Sequence, residues 1–367
     1  MRHAGLALLG GVLTLLAAGN AARAASPMET AQAFVAAHQK LPEFTAPGPA
    51  FDAKKCMAGK KILSVPLSMT IPYSVAVNNA MMEAAKSVGT GFTTWSNQLK
   101  VDQWIQGLSL AVQQKYTLVS LLSGINPVVL APQIAEARAA GVKVRTTDTY
   151  DITQTPPSIV DGSARSPHSV AAKLLADWAF TRTGGKPDVI IIGSDEIIAT
   201  PAMVKAAQDE LTALCPTCKQ RYLNVPVPEW GTKITPSVQA ALVADPGINF
   251  VLPIYDSMAQ FVIPALRLTG RMDTVKIAAS DGTPFVIDLV RNGQVDMDVG
   301  SSVGWIGYAG LDAAMRMLCG LPVVDDLNTP LYLFTKENAA TAGVPATYDD
   351  GYGNSHVAGF RKLWGVN

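Results

Sequence analysis

Between residues 60 and 334 the chain alternates short apolar runs with longer segments whose apolar residues recur every three to four positions. The runs at 62–67, 91–95, 117–122 and 142–147 read as strands, and 72–88, 101–114 and 132–140 as amphipathic helices between them. A stretch with two prolines over 153–162 reads as a loop. The alternation then restarts with helices over 170–183, 199–214, 234–244, 257–268 and 284–292. These separate strands over 188–193, 220–225, 248–253, 275–281 and 295–300. A helix over 305–318 and a strand over 331–334 follow. Short strands alternating with helices of about ten or more residues indicate parallel βαβ units. The expected fold class is therefore α/β, in two halves of shared architecture. Ahead of this pattern lies an Ala/Pro-rich lead-in over 25–59 with a short helix expected over 28–40. Behind it the Gly- and Tyr-rich stretch over 339–367 shows no pattern that places it.

Two acids stand out against this pattern. Asp281-Gly282-Thr283-Pro284 follows the apolar run at 275–279, so a carboxylate ends a strand and a proline starts the next helix. The earlier strand at 142–146 is likewise followed by Asp148. In open α/β sheets small ligands bind at the C-terminal strand edge. Two strand-end carboxylates in two halves of one chain thus predict a cleft between two lobes. For either acid alone, capping of the next helix is the plainer role.

Length and composition agree with two lobes. The first residues carry Arg2 and His3, an apolar stretch over 6–18, and Ala22-Arg23-Ala24 as a small-x-small cleavage site. Residues 1–24 are expected to be a secretory signal peptide, too short in its apolar core to span a bilayer. No cysteine follows it closely, so no lipid anchor is expected, and the product is expected to be soluble and exported. The remaining chain, roughly 340 residues, is more than one core usually serves. The balance of 29 acidic and 29 basic residues argues against a nucleic-acid partner.

An oxidising compartment changes how the four cysteines read. Cys215-Pro216-Thr217-Cys218 has redox-motif spacing, but it follows a helix, whereas a redox pair normally sits at a helix start, where the thiol pKa is lowered. A structural Cys215–Cys218 disulfide is the expectation. No second cysteine or histidine pair is at hand for a metal. Cys56 and Cys319 are left as a candidate second pair.

Several segments carry a resemblance. Ser68-Met69-Thr70-Ile71-Pro72-Tyr73 follows the first strand, and Asn97 with Val101-Asp102-Gln103 falls in the second unit. Pro132-Gln133-Ile134-Ala135-Glu136-Ala137 precedes Ala140-Gly141-Val142-Lys143-Val144. Asp281-Gly282-Thr283-Pro284 and Asn292-Gly293-Gln294-Val295 complete the series. In this order and spacing the chain resembles the ribose-binding type of periplasmic solute-binding proteins, the extracytoplasmic receptors of ABC importers. The related repressors of the lactose-repressor kind are set aside, because the N-terminus carries an export signal and no helix-turn-helix.

The resemblance implies two Rossmann-like lobes joined by a multi-strand hinge: an N-lobe from 60–150 and 302–330, a C-lobe from 151–301 and 331–345, and a tail over 346–367. It implies Tyr73 and Trp230 as stacking aromatics and Asp148 and Asp281 as acceptors for ligand hydroxyls. Thr70 falls beside this set. The family's sugar-binding arginines are missing: Thr149 follows Asp148 where an arginine is expected, and the region of Ala199 and Thr200 has none. Tyr255 takes the place of an asparagine, and Ser301 or Ser302 that of a glutamine. Loss of guanidinium forks removes donors, and Tyr255 with Trp305 makes the site more aromatic. In this topology Cys56 and Cys319 both belong to the N-lobe, so their pairing is geometrically reasonable.

The function so implied is capture of a small hydroxylated ligand, larger or more aromatic than ribose, by hinge closure, and its delivery as a monomer to a membrane ABC permease. No cofactor and no catalysis are implied, since the chain has neither a nucleophile elbow nor a Walker-type loop. Rival readings are a binder of phenolic compounds, a sensory receptor presenting its ligand to a membrane partner, and a glycoside-acting enzyme using Asp148 and Asp281 as an acid/base pair.

Overall fold

In a computed structural model, which describes Met1 and residues 25–327 and 329–366, the chain forms two parallel-stranded sheets flanked by helices. The leader expected over 1–24 lies, Met1 aside, outside the described residues. The first sheet contains β1 (Lys61–Pro66), β2 (Gly91–Thr94), β3 (Leu118–Leu122), β4 (Lys143–Asp151) and β5 (Gly162–Ser166), in the order β2-β1-β3-β4-β5. The second contains β6 (Asp188–Gly193), β7 (Lys219–Asn224), β8 (Phe250–Pro253), β9 (Lys276–Asp281), β10 (Met297–Ser301) and β11 (Leu331–Thr335), in the order β11-β10-β9-β8-β6-β7. All pairings within them are parallel except β10 with β11. Both sheets are the doubly wound type that puts ligand-binding loops at the C-terminal strand edge.

The helices follow from the apolar periodicity. In the first lobe α3 (Pro72–Val88), α4 (Val101–Gln113) and α5 (Ala131–Ala139) connect the strands. Pro72 starts α3, and Gly89 ends it in the left-handed conformation. In the second lobe α6 (His168–Arg182), α7 (Thr200–Leu214), α8 (Trp230–Ala244), α9 (Ala259–Leu268) and α10 (Pro284–Arg291) do the same. After β10 the chain returns to the first lobe as α11 (Val303–Leu318), which packs on α3. The strands are wholly apolar where they are covered on both faces, as with the buried run Val189, Ile190, Ile191 and Ile192.

Two expectations need correction. No strand was expected between the loop at 153–162 and the helix at 170–183, yet β5 pairs in parallel with β4, so the first sheet runs past residue 150 to Ser166. Its sequence, Gly-Ser-Ala-Arg-Ser, carries no apolar alternation; burial of Ser163, Ala164 and Ser166 against neighbouring strands makes it a strand. The strand β4 continues through Asp148 to Asp151 instead of stopping before the acid.

The lead-in and the tail form a second set of links between the lobes. α1 (Pro27–Ala37) packs on α6 of the second lobe, and the amide of Leu333 on β11 donates to the carbonyl of His38 at 2.9 Å. The chain then reaches the first lobe, where α2 (Ala53–Met57) joins the core beneath α11. The tail takes the opposite route. Tyr352 is buried against Tyr332 and Phe334 of the second lobe, whereas α12 (Ser355–Leu363) and Trp364 are buried against α11 in the first. Lead-in and tail also hold each other: Phe51 and Ala53 donate their amides to the carbonyls of Leu363 and Trp364 at 2.9 and 3.1 Å.

Both cysteine pairs form disulfides. Cys56–Cys319 joins α2 to the end of α11 with Cα atoms 5.9 Å apart, and Cys215–Cys218 closes the turn between α7 and β7 at 5.3 Å.

Candidate functional site

Asp148 occupies an irregularity in β4, where the register with β5 shifts between Thr147 and Asp151. Its φ of 54° is left-handed, a conformation that Asp adopts more readily than most residues because its short side chain bonds locally. The backbone turn aims the carboxylate toward the chain crossing to the second lobe. There Oδ1 accepts from Ser166 Oγ at 2.5 Å and lies 3.5 Å from His168 Nε2. Oδ2 accepts from Tyr73 Oη at 3.0 Å. Tyr73 stands in the first turn of α3, directly after Pro72. Burial raises its phenol pKa well above the ordinary value, and the charges of Asp148 and Asp281 raise it further. The hydroxyl is therefore a permanent donor.

Asp281 is the last residue of β9. Two more acids flank it: Asp298 on β10, whose Oδ2 accepts from the amide of Gly282 at 3.1 Å, and Asp256 after β8. The Asp256 carboxylate takes a local bond from Ser257 Oγ at 3.3 Å, and it also reaches the next connection and accepts from Thr283 N at 2.6 Å and Thr283 Oγ1 at 2.7 Å. The Asp281 carboxyl is pushed well above the usual range, first by burial, then by Asp256, Asp298 and finally Asp148. Burial and Asp256 do the same to Asp298, and burial lifts Asp256 to about 6. Like charges in a dry site cannot all ionise. Gly282, with φ 78°, is required here, because a side chain would strike the hydroxyl of Tyr352 from the tail.

The aromatic wall is built on the second lobe. Trp230 opens α8 after a single 3₁₀ turn, so this helix begins earlier than the one expected over 234–244. Its ring lies 6.4 Å from that of Tyr255 with 20° between planes. Both rings are anchored from behind: Trp230 Nε1 donates to Ser194 Oγ at 2.9 Å and Val225 O at 3.1 Å. Tyr255 Oη lies 2.8 Å from Thr200 Oγ1, which itself donates to Ser194 O at 2.7 Å. Two rings held in this way present fixed faces to a ligand.

These groups meet in a cavity of about 170 Å³ between the lobes. Tyr73, Asp148 and Thr149 line it from the first lobe, and Trp230, Tyr255 and Asp281 from the second. An outer recess shares Tyr73 and Trp230 as walls and adds Thr70, Phe261, Phe285 and Tyr348. Three residues expected at the site are elsewhere. Trp305 is buried among Phe44 of the lead-in and His356 of the tail. Ser302 caps α11, its Oγ accepting from Trp305 N at 3.2 Å. Ser301 ends β10, pairs with Leu331 and does not line the cavity. The sequence reading missed His168, which lines the cavity beside Asp148. Its position just past a proline at the start of a helix was the available signal. It also missed Asp256 and the tail residues Tyr348 and Tyr352, whose placement depends on long-range packing. Among the described residues no group of three or more His, Cys, Asp or Glu is arranged to hold a metal ion, and no helix is long and apolar enough to cross a membrane.

Solved structures with the same fold cover most of this chain at low identity. An ABC transporter solute-binding protein from Agrobacterium vitis with bound allitol is 19% identical, with a TM-score of 0.66, covering 76% of this chain and 97% of its own. A second from the same organism, bound with alpha-D-tagatopyranose, is 17% identical at a TM-score of 0.68 and covers 79% and 99%. The 5-methylthioribose transporter solute-binding protein of Thermotoga lettingae is 17% identical at 0.67 and covers 86% and 100%. A Rhizobium meliloti protein named for rhizopine binding is 34% identical over 97 residues, so the match spans only 26% of this chain and 31% of that relative. Residues 62–322 match the periplasmic binding protein domain family as a whole. The chain belongs to the periplasmic binding protein domain family.

Proposed function

We propose that the protein is an extracytoplasmic receptor of an ABC importer that captures a small hydroxylated ligand, a sugar or polyol, between its lobes. The observation that carries this reading is the pairing of Asp148 and Asp281 on opposite lobes across one cavity walled by Trp230 and Tyr255. A carboxylate accepts from two adjacent hydroxyls at once, and an aromatic face packs against the C–H face of a sugar ring. Burial between lobes then supplies desolvation, and the polar groups supply orientation. The sugars and polyols named with the solved relatives support the same ligand class.

Closure by hinge motion follows from the chain crossing between the lobes at several points. Periplasmic location, action as a monomer and docking of both lobes on a membrane permease belong to this reading, as family members are built for that use. Turnover is not part of it: the family matched over residues 62–322 is one of binding proteins.

Thermal-shift and native mass-spectrometry screens against sugars, polyols and phenolics test the proposal. Stabilisation by a sugar or polyol, with no turnover of the matching glycosides, is the expected result. Stabilisation by phenolics alone would replace the ligand class, and hydrolysis of a glycoside would replace receptor with enzyme.

A further inference from the structure

The cavity is rich in hydrogen-bond acceptors and short of donors. Asp148 and Asp281 face it, and none of its lining residues is a lysine or an arginine. Most of the side-chain donors that line it are spent within the protein. The Tyr73 hydroxyl goes to Asp148, and the Trp230 indole to Ser194 and Val225. Thr200 uses its own proton on Ser194 O, so the hydroxyl of Tyr255 must donate to Thr200. Thr283 and Ser257 both donate to Asp256, and Thr149 donates to Thr147 O. The hydroxyls of Ser74 and Ser123 and the ring of His168 remain. A neutral sugar offers as many acceptors as donors and would leave its oxygens poorly served here. An ammonium group brings three donors, no acceptor and the missing charge.

We propose that the ligand is a cation: a hydroxylated ring or chain bearing a protonated amine, with the ammonium held at Asp281 and the carbon skeleton against Trp230 and Tyr255. The inference rests on the receptor reading above and narrows its ligand class. Three features converge on Asp281. No side chain among the described residues donates a hydrogen bond to it, unlike Asp148, which takes two. The charges that bear on it, those of Asp148, Asp256 and Asp298, are all negative. The rings of Trp230 and Tyr255, 6.4 Å apart, line the same cavity, and aromatic faces attract cations in dry sites.

A cation also offsets the crowding of acids around Asp281. Burial and the neighbouring acids push its pKa up; a bound ammonium would push it back down and favour the ionised form. His168 Nε2 lies 3.5 Å from Asp148 Oδ1 at the same cavity.

The test sets amines against their uncharged parents on the full-length mature protein: glucosamine, galactosamine, mannosamine and glucamine against glucose, galactose, mannose and sorbitol. Affinities are read by isothermal titration at pH 6.5. The expected result is at least one amine binding tenfold or more tighter than its parent, with Asp281→Asn abolishing the preference. That variant should fold, since it removes one of several crowded like charges, and its thermal midpoint is checked alongside. A parent binding as well as or better than its amine overturns the charge assignment and leaves the hydroxylated-ligand reading standing. No binding in either panel overturns both.

Discussion

The hydroxyl of Tyr73 donates to Asp148 across 3.0 Å, joining the first turn of α3 to the irregular centre of β4. Together with Ser166 Oγ at 2.5 Å it leaves the carboxylate oriented before any ligand arrives. Orientation paid for during folding is not charged again on binding. Tyr73→Phe keeps the ring as a cavity wall and removes the bond. A hydrogen bond to a charged group contributes about 1.5–3 kcal/mol, so urea unfolding should show a loss of about 2 kcal/mol. Ligand affinity should fall less than in Asp148→Asn.

Trp230 and Trp178 should separate affinity from stability. Trp230 is half-buried, stacked on Tyr255 and exposed to the cavity. Trp178 lies in the core between α6 and the second sheet, its Nε1 donating to Asp296 at 2.8 Å. Trp230→Ala should cost roughly tenfold or more in affinity, as aromatic anchors do, with a small change in thermal midpoint. Trp178→Ala should lower stability by about 3–5 kcal/mol and leave affinity at the folded site near wild type. Equal effects of the two on affinity would remove Trp230 from the site.

The elements that read correctly from sequence are those whose burial is periodic. Ile190, Ile191 and Ile192 announce a strand covered on both faces, and Pro72 and Gly89 mark the ends of α3. What escaped depends on contacts distant in sequence. The strand β5 has no apolar signal of its own and exists because β4 and the turn near Asp326 pair with it. Asp256 takes a local bond from Ser257, yet its two shorter bonds come from Thr283, 27 residues on. Trp305 was read toward the cleft from its place at a helix start. The rotation of α11 is set by Phe44, from the lead-in, and by His356, from the tail, and neither segment is placed by pattern. Asp281 ends β9, Trp230 starts α8 and Asp148 sits at the break in the register of β4, and all three line one cavity.

Asp177 should give the protein a stability that falls as pH rises. It is buried on α6, both carboxyl oxygens lack a hydrogen-bond partner among the described residues, and burial followed by the charge of Glu210 lifts its pKa to about 7. Lys173, paired to Glu210 at 2.8 Å, offsets this only in part. An acid whose folded pKa is raised holds a proton in the folded state that the unfolded chain has lost. Stability therefore falls between about pH 4, the unfolded value, and about pH 7. Asp177→Asn should remove this slope and raise stability at pH 8 by a few kcal/mol, about 1.4 for each pKa unit of difference. An unchanged slope in urea unfolding from pH 5 to pH 8 would count against it.

The two disulfides should differ in what they contribute. Cys215–Cys218 closes a loop with a sequence separation of 3, and Cys56–Cys319 one with a separation of 263. In the chain-entropy account the stabilisation grows with the logarithm of loop length, to about 2 kcal/mol for the short bridge and about 5 kcal/mol for the long one. Native geometry reinforces the difference. Cys56 belongs to α2, at the end of the lead-in that donates to Leu363 and Trp364 of the tail, and Cys319 ends the helix on which that tail packs. The long bridge thus fixes the junction of lead-in, α11 and tail, where two of the links between lobes are anchored. Cys56→Ser with Cys319→Ser should lose several kcal/mol and increase proteolysis within the lead-in and tail before the rest of the chain. Cys215→Ser with Cys218→Ser should lose about 2 kcal/mol and leave the protease pattern unchanged. Equal losses, or early cleavage near β7 in the first variant, would mean that the junction does not depend on the bridge.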